Sequence, residues 1–243
     1  MSALVESTSS DPGGSLNVTS VSFSHTVTAA NLLLATVGMG DSGLGANVSS
    51  VTYATIDFAS VIEADDANFE RTAIWKLTHD IATGANTFSV NFDEACAQSG
   101  CGVTGFTDAS DSLGTPASNT AATANPTVDV ESVSGDIVVS MLASDVGSLS
   151  VTTEGGTLLW EAEDVGPGDS DFNAQQQTAS GTTTVCAWTS SANDWVAVGV
   201  AVKAIFQPGA NAPTQRSGLK DAPYRLGAHS SGFPSELNGQ AWF

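Results

Sequence analysis

The stretch 182–206, TTTVCAWTSSANDWVAVGVAVKAIF, constrains the fold more than any other. Val196, Val198, Val200 and Val202 alternate with Ala197, Gly199, Ala201 and Lys203. A period of two with the larger side chains on one face belongs to a half-buried strand; on a helix those valines would be scattered around the axis. Residues 190–194, SSAND, are turn formers, so the stretch reads as two long strands joined by a tight turn.

The same signature recurs along the chain. Strands are expected at 16–27, 31–39, 49–58, 58–66, 69–77, 87–92 and 101–109. A second series follows at 127–132, 136–145, 148–156, 157–164, 171–179, 182–190 and 194–205. Helical periodicity is never sustained. The first 15 residues, with SSDPGGS, read as a flexible lead. Residues 110–125 are small, polar and without period, which predicts a linker or crossover. The fold class expected is all-β, a β-sandwich or jelly roll, with a first β half at 16–109 and a second at 126–206.

A faint internal echo supports two similar halves. NLLLATVGMGD resembles DIVVSMLASD, and VTYATIDFASVIEADD resembles VTTEGGTLLWEAEDV. ATGANTFSVNF resembles ASGTTTVCAWTS, and CGVTGFTDA resembles WVAVGVAVKA. The order is the same in both halves.

Charge narrows the partners. Only 13% of the 243 residues are charged, and the formal net charge is −20. Residues 1–206 hold Arg71, Lys76 and Lys203 against 24 of the 26 acids, a balance of −21. Such a body repels phosphate backbones, so nucleic acid is not an expected partner. The scarcity of lysine also suits saline surroundings. No apolar run approaches the length of a membrane span. The opening MSALVESTSSDPGGS has no basic-then-apolar signal, so export by the general secretory route is not expected.

Few residues suggest chemistry. Gly40-Asp41-Ser42-Gly43 follows an apolar strand and is similar to the serine block of GDSL-type hydrolases. A nucleophilic serine needs a histidine and an orienting acid. Of His25, His79 and His229, none has the Asp three residues upstream that this resemblance implies; position 226 is Leu. Glu161, Glu163, Asp164, Asp169 and Asp171 surround a Gly-Pro-Gly turn, with Asp65 and Asp66 in the matching place of the first half. Oxygen-rich loops can hold calcium, but the EF-hand spacing is absent and a solvated acidic loop is the simpler reading. No P-loop or dinucleotide fingerprint occurs. No catalytic residue, cofactor or metal is therefore assigned, and the chain is not expected to be an enzyme. Cys96 and Cys101 flank AQSG and either close a small disulfide loop or remain free thiols; Cys186 reads as a small core residue. Trp75, Trp160, Trp188 and Trp195 read as core rather than as a sugar platform. Asn17-Val-Thr and Asn47-Val-Ser match the glycan acceptor pattern.

The segment 207–243 has a different character. Its balance is +1, from Arg216, Lys220 and Arg225 against Asp221 and Glu236. Pro208, Pro213, Pro223 and Pro234 hold it extended and exclude helix and central strand. Leu219, Tyr224, Leu226, Phe233, Leu237, Trp242 and Phe243 are spaced along it as apolar anchors. A purely solvating tail lacks such residues, so the segment is expected to be an interaction arm.

In SVSFSHTV with NLLLATVGMGD, RTAIWKL, TFSVNF and WVAVGVAVKAI, the body resembles β-sandwich modules of tailed phages and related viruses. The resemblance covers roughly 16–206 and leaves the arm outside. It implies a virion-surface component, such as a capsid decoration or cement protein, a turret or a tail appendage. Such a protein is assembled in the host cytoplasm, is homo-oligomeric and contacts capsid or other virion proteins. A tail-fibre or adhesin-type module that binds a glycan is the second class.

Overall fold

The computed structural model describes residues 3–11, 14–40, 46–66, 70–145, 152–165, 170–190 and 194–205. These residues are all-β, with no helix. The strands of the first half are β1 (Leu4–Ser10), β2 (Ser15–Val27), β3 (Leu32–Gly40), β4 (Val48–Tyr53), β5 (Ile56–Asp57), β6 (Ala59–Asp65), β7 (Arg71–Leu77) and β8 (Gly84–Thr107). Those of the second half are β9 (Ala117–Ala121), β10 (Thr127–Glu131), β11 (Ile137–Asp145), β12 (Thr152–Glu154), β13 (Thr157–Val165), β14 (Ser170–Thr178), β15 (Thr183–Thr189) and β16 (Asp194–Val202).

The long strand β8 organises the first half. Its first part pairs with β2 on one edge and β4 on the other. Its second part pairs with β1 and β3 on those same edges. The eight strands form one continuous sheet, and the two parts of β8 are the central strands of its two limbs, β2-β8-β4-β5 and β1-β8-β3-β7-β6, each of which we treat as a sheet. The change comes at an irregularity opposite Val18 and Ser20, where two steps in β2 face five in β8, Asn91 to Cys96. An extra length in one strand bends it, which lets one strand serve two layers.

The second half repeats this order with separate strands. β10-β15-β12 matches β2-β8-β4, and β9-β16-β11-β14-β13 matches β1-β8-β3-β7-β6. All pairings are antiparallel.

Three hydrophobic cores separate four layers. The first, with Val37, Tyr53, Phe88 and Val103, lies between the two sheets of the first half. The third, with Val130, Leu142, Cys186 and Trp188, lies between the two sheets of the second half. The second joins the halves: Leu32, Leu34, Ile74 and Phe106 meet Met141, Trp160, Phe172 and Val198. Strands β3, β11 and β16 are therefore covered on both faces, which explains the continuous apolar character of LLLATVGMG. The stretch read as a half-buried strand, β16, has its valines in the second core and Trp195, Ala197 and Ala201 in the third.

The contact between the halves is reciprocal. β1 touches β13 while β6 touches β9; β8 touches β14 while β16 touches β7; and β3 meets β11. With β9 standing for β1, β13 for β6, β14 for β7 and β16 for β8, each contact has its mirror. This is the pattern of a two-fold interface between like bodies, here within one chain.

Three expectations from the sequence need revision. The span 1–15 contains β1, whose polar LVESTSS is held by the backbone ladder to β8 and by Val5 against the second core. The span 110–125 contains β9, a small polar strand on the edge of β16. The stretches 87–92 and 101–109, expected as separate strands, are joined in β8, which ends at Thr107.

Candidate functional site

The interface between the halves carries buried polar contacts. The indole Nε1 of Trp160 donates to Thr36 Oγ1 at 2.8 Å. A Cβ on Gly102 would fall 2.2 Å from that nitrogen, and one on Gly38 would fall 2.3 Å from Phe172 Cδ1. Glycine at these two places lets the rings of β13 and β14 lie directly on the backbone of the first half. At one end of the interface the Ser170 hydroxyl lies 3.0 Å from Glu70 Oε1 and also bonds the Gln98 side-chain amide. The Gln98 atom is Oε1, so both neighbours are acceptors, and the single hydroxyl hydrogen serves one of them at a time. All three residues are buried.

Nearby, Arg71 gathers the chain ends of several strands. Its Nη1 donates to Ala46 O at 2.9 Å and to Asn47 Oδ1. It also lies 3.8 Å from Glu63 and 3.9 Å from Asp65. Asp93 accepts from the Asn47 backbone at 2.7 Å and from its side chain at 2.9 Å. Those bonds hold the Asp93 carboxyl below its ordinary range. Burial raises that of Glu63, against the pull of Arg71.

His25 is buried beside β1. Its Nδ1 lies 3.0 Å from Ser9 Oγ and its Nε2 3.3 Å from Ser7 Oγ. Its ring stands edge-on to Tyr53. Burial lowers the proton affinity of His25, and the charge of Glu6 works the other way. Glu6 itself accepts from the Ala29 backbone at 2.7 Å. With serines on both nitrogens and almost no exposure, this histidine pins β1 to β2 and offers no substrate access.

The remaining expected sites distribute as follows. Gly40 ends β3; Asp41, Ser42 and Gly43 lie outside the described residues. His79 is exposed, and His229 lies outside. Glu161 and Glu163 are exposed on β13, and Asp171 is buried on β14. The Asp164 side chain and Asp169 lie outside. Among the described residues no three His, Cys, Asp or Glu side chains converge as a metal site. Cys96, Cys101 and Cys186 are free and buried. Burial pushes the Cys96 thiol up to about 12 and the Cys186 thiol to about 11, and raises Cys101 as well. Trp160, Trp188 and Trp195 are core residues, while Trp75 is half-buried against the first core. The arm residues Leu219, Tyr224, Leu226, Phe233, Leu237, Trp242 and Phe243 all lie outside the described residues.

One recess was not expected from the sequence. At the end of β14 a space of about 310 Å³ is lined by Ile137, Gly155, Thr157, Gln176, Gln177 and Thr178. The Oε1 atoms of Gln175, Gln176 and Gln177 are buried without a hydrogen-bond partner. The run Gln-Gln-Gln in a strand was the available signal, since amides are unusual where a core face is expected.

Comparison with protein-family models, with curated proteins and with solved structures gives no match.

Proposed function

We propose that the protein is a non-enzymatic structural component of a virus particle's outer surface. In this reading it is a capsid decoration, cement or turret subunit that contacts its neighbours through residues 207–243. The observation that carries the reading is the pairing order. Counting strands within the second half, one sheet runs first-eighth-third-sixth-fifth and the other second-seventh-fourth, and the first half follows the same order with β8 filling the seventh and eighth places and β5 with β6 sharing the fifth. Apart from the fifth strand, this order resembles that of a double Greek-key jelly roll, an architecture common in capsid and lectin domains. The fifth strand departs from it: β5 stays beside β4, and β6 crosses to β7. We read the body as two jelly-roll-like halves fused into one block.

Such a block suits a structural role. Its interior is packed on three levels, and its most interconnected polar groups tie strands together. The acidic body discourages self-aggregation, while the arm, carrying a balance of +1 and seven apolar anchors, is suited to a neighbour's surface. Anchors on an extended segment add buried area to an interface without requiring a new fold.

Purified particles mixed with the full chain or with residues 1–206 provide the test. Saturable attachment of the full chain, lost or much weakened on truncation, is expected. Equal occupancy by the truncated chain would refute the arm's role, and no attachment by either would refute the particle reading.

A further inference from the structure

An open sheet edge is where one chain can pair with another, and folded proteins guard such edges with charge, proline or short length. Most edges here are guarded. β5, β9 and β12 have two, five and three residues. β1, β6, β10 and β13 each carry acidic residues. β2 is the exception. It has 13 residues, Ser15–Val27, with no charge and no proline. It pairs with β8 alone, and among the described residues no other backbone–backbone hydrogen bond reaches it. The second half is the control: β10 holds the same place with five residues, of which Asp129 and Glu131 are acidic. The fold therefore does not require a long uncharged edge there.

The character of the edge selects the partner. Beyond the irregularity at Val18, residues 20–27 pair with β8 one to one. Val21, Phe23 and Val27 pack on the first core, while Ser20, Ser22, Ser24 and Thr26 are exposed on the opposite face. The adjoining residues of β8, 84–92, are uncharged as well. The acids at the two ends of β2 are engaged: Asp11 by the Ser15 hydroxyl, and Glu6 by the backbone N–H groups of Thr28 and Ala29. A chain of net charge −20 repels its own copies over most of its surface. Along β2, two copies can approach without opposing carboxylates. The exposed hydroxyls both donate and accept, so a row of them complements itself. A charged partner finds no counter-charge there.

We propose that the open edge of β2 pairs with β2 of a second copy, antiparallel about a two-fold axis, so that the sheets of two chains become one. Directly opposed residues of an antiparallel pair lie on the same face, so their two numbers must sum to an even number. The registers centred on this segment therefore set Ser22 against Ser22, Ser22 against Ser24, or Ser24 against Ser24. Such an interface is isologous, and its two copies close on themselves. Edge pairing over so few residues is narrower than a standard interface, so a dissociation constant of about 10–100 μM is expected. This goes beyond the particle reading and does not rest on it, because pairing is expected of the full chain free in solution.

The test begins with sedimentation of the unaltered full chain from about 1 to 300 μM, a range that brackets weak association. A monomer–dimer equilibrium is expected, tighter at about 0.5 M salt, where the repulsion between acidic bodies is screened. Hydrogen exchange at the two ends of that range locates the contact. Amides of 20–27 that point away from β8 are expected to slow at least about threefold at the higher concentration. A chain that stays monomeric at both salt levels overturns the proposal, as does a dimer that leaves these amides unchanged. Both measurements use the unaltered chain, so they decide even where a variant misfolds. Ser22→Cys, Ser24→Cys and the two together then fix the register, since the three native thiols are buried. At least one is expected to give a dimer with a short bismaleimide. Pairing of β2 with a neighbour's residues 207–243 would hold these thiols apart, and cross-linking by none of the three overturns the proposal. Ser22→Asp with Ser24→Asp is expected to weaken the dimer about tenfold or more. Thr183→Asp with Val185→Asp, the same charge on exposed positions of β15, is expected to change it no more than about twofold. Undiminished pairing by the folded β2 variant also overturns the proposal.

Discussion

Trp160 Nε1 donates to Thr36 Oγ1 at 2.8 Å, joining residues 124 apart in sequence across the interface between the two halves. Both partners are buried. The bond gives the indole a partner inside an apolar contact, where an unmet N–H would be costly. It depends on Gly102, over whose backbone the indole lies.

Gly102→Ala should therefore be destabilising although alanine favours strand backbone more than glycine does. The added methyl would sit 2.2 Å from Trp160 Nε1, so the indole or β8 must move. Overpacking of this kind costs about 1–3 kcal/mol. Trp160→Phe should cost a comparable amount by leaving the Thr36 hydroxyl without its donor. Urea unfolding of both variants measures this, and a Gly102→Ala midpoint equal to the parent's would contradict the packing described.

Much of this arrangement is legible in the sequence, for a physical reason. Strands covered on both faces, such as β3 and β11, need apolar residues at consecutive positions, and NLLLATVGMGD and DIVVSMLASD advertise that need. The echo between halves likewise falls on strands that occupy the same place in the pairing order. It is silent for β7 and β14, where RTAIWKL and SDFNAQQQT place different residue types at matching positions of the pairing order. β1 and β9 are illegible because edge strands are stabilised by backbone ladder bonds, which leave no mark on side-chain pattern. The continuity of β8 is hidden for a related reason: Asp93, Glu94 and Ala95 are exposed at its bend and read as a break. Of the candidate site, the run Gln175, Gln176 and Gln177 is visible in the sequence, but that their amide oxygens are buried without partners follows from packing, which residue pattern does not record.

His25 makes stability depend on pH. Burial lowers its proton affinity in the fold, whereas an unfolded histidine titrates near 6.5. Between that value and the lower folded one, the unfolded chain binds more protons. Stability present above about pH 6.5 is therefore lost as pH falls through this window. The charged group facing His25 is Glu6, and its attraction for the imidazolium narrows the window without reversing it. His25→Gln keeps hydrogen-bonding capacity toward Ser7 and Ser9 but does not titrate. Its unfolding free energy should be flatter than the parent's from pH 7 downward. Parallel curves for the two proteins would mean that His25 is not the group responsible.

The three thiols should be unreactive in the folded protein. Cys96, Cys101 and Cys186 are buried, and their raised proton affinity leaves almost no thiolate near neutral pH. A thiol reagent at pH 8 should label none of them until denaturant is added, and then all three. A reductant should leave the melting temperature unchanged. Mass spectrometry of the native chain showing a Cys96–Cys101 disulfide would contradict this arrangement, as would rapid labelling without denaturant.

The turn between β4 and β5 stores strain that can be relieved. Tyr53 pairs with Ile56, so Ala54 and Thr55 form a two-residue hairpin loop. Both have positive φ, 50° and 73°. Two consecutive left-handed residues are the signature of the turn that favours Asn-Gly, and a β-branched threonine is poorly suited to the second place. Ala54→Asn with Thr55→Gly should raise stability by about 1 kcal/mol or somewhat more. The gain from relieved strain exceeds the entropy that glycine restores to the unfolded chain. Thr55→Val, equally branched, should show none of the gain, and Thr55→Gly alone should show most of it. Thermal unfolding of the three variants decides the matter: a double variant less stable than the parent would mean that these backbone angles are not those of the folded protein.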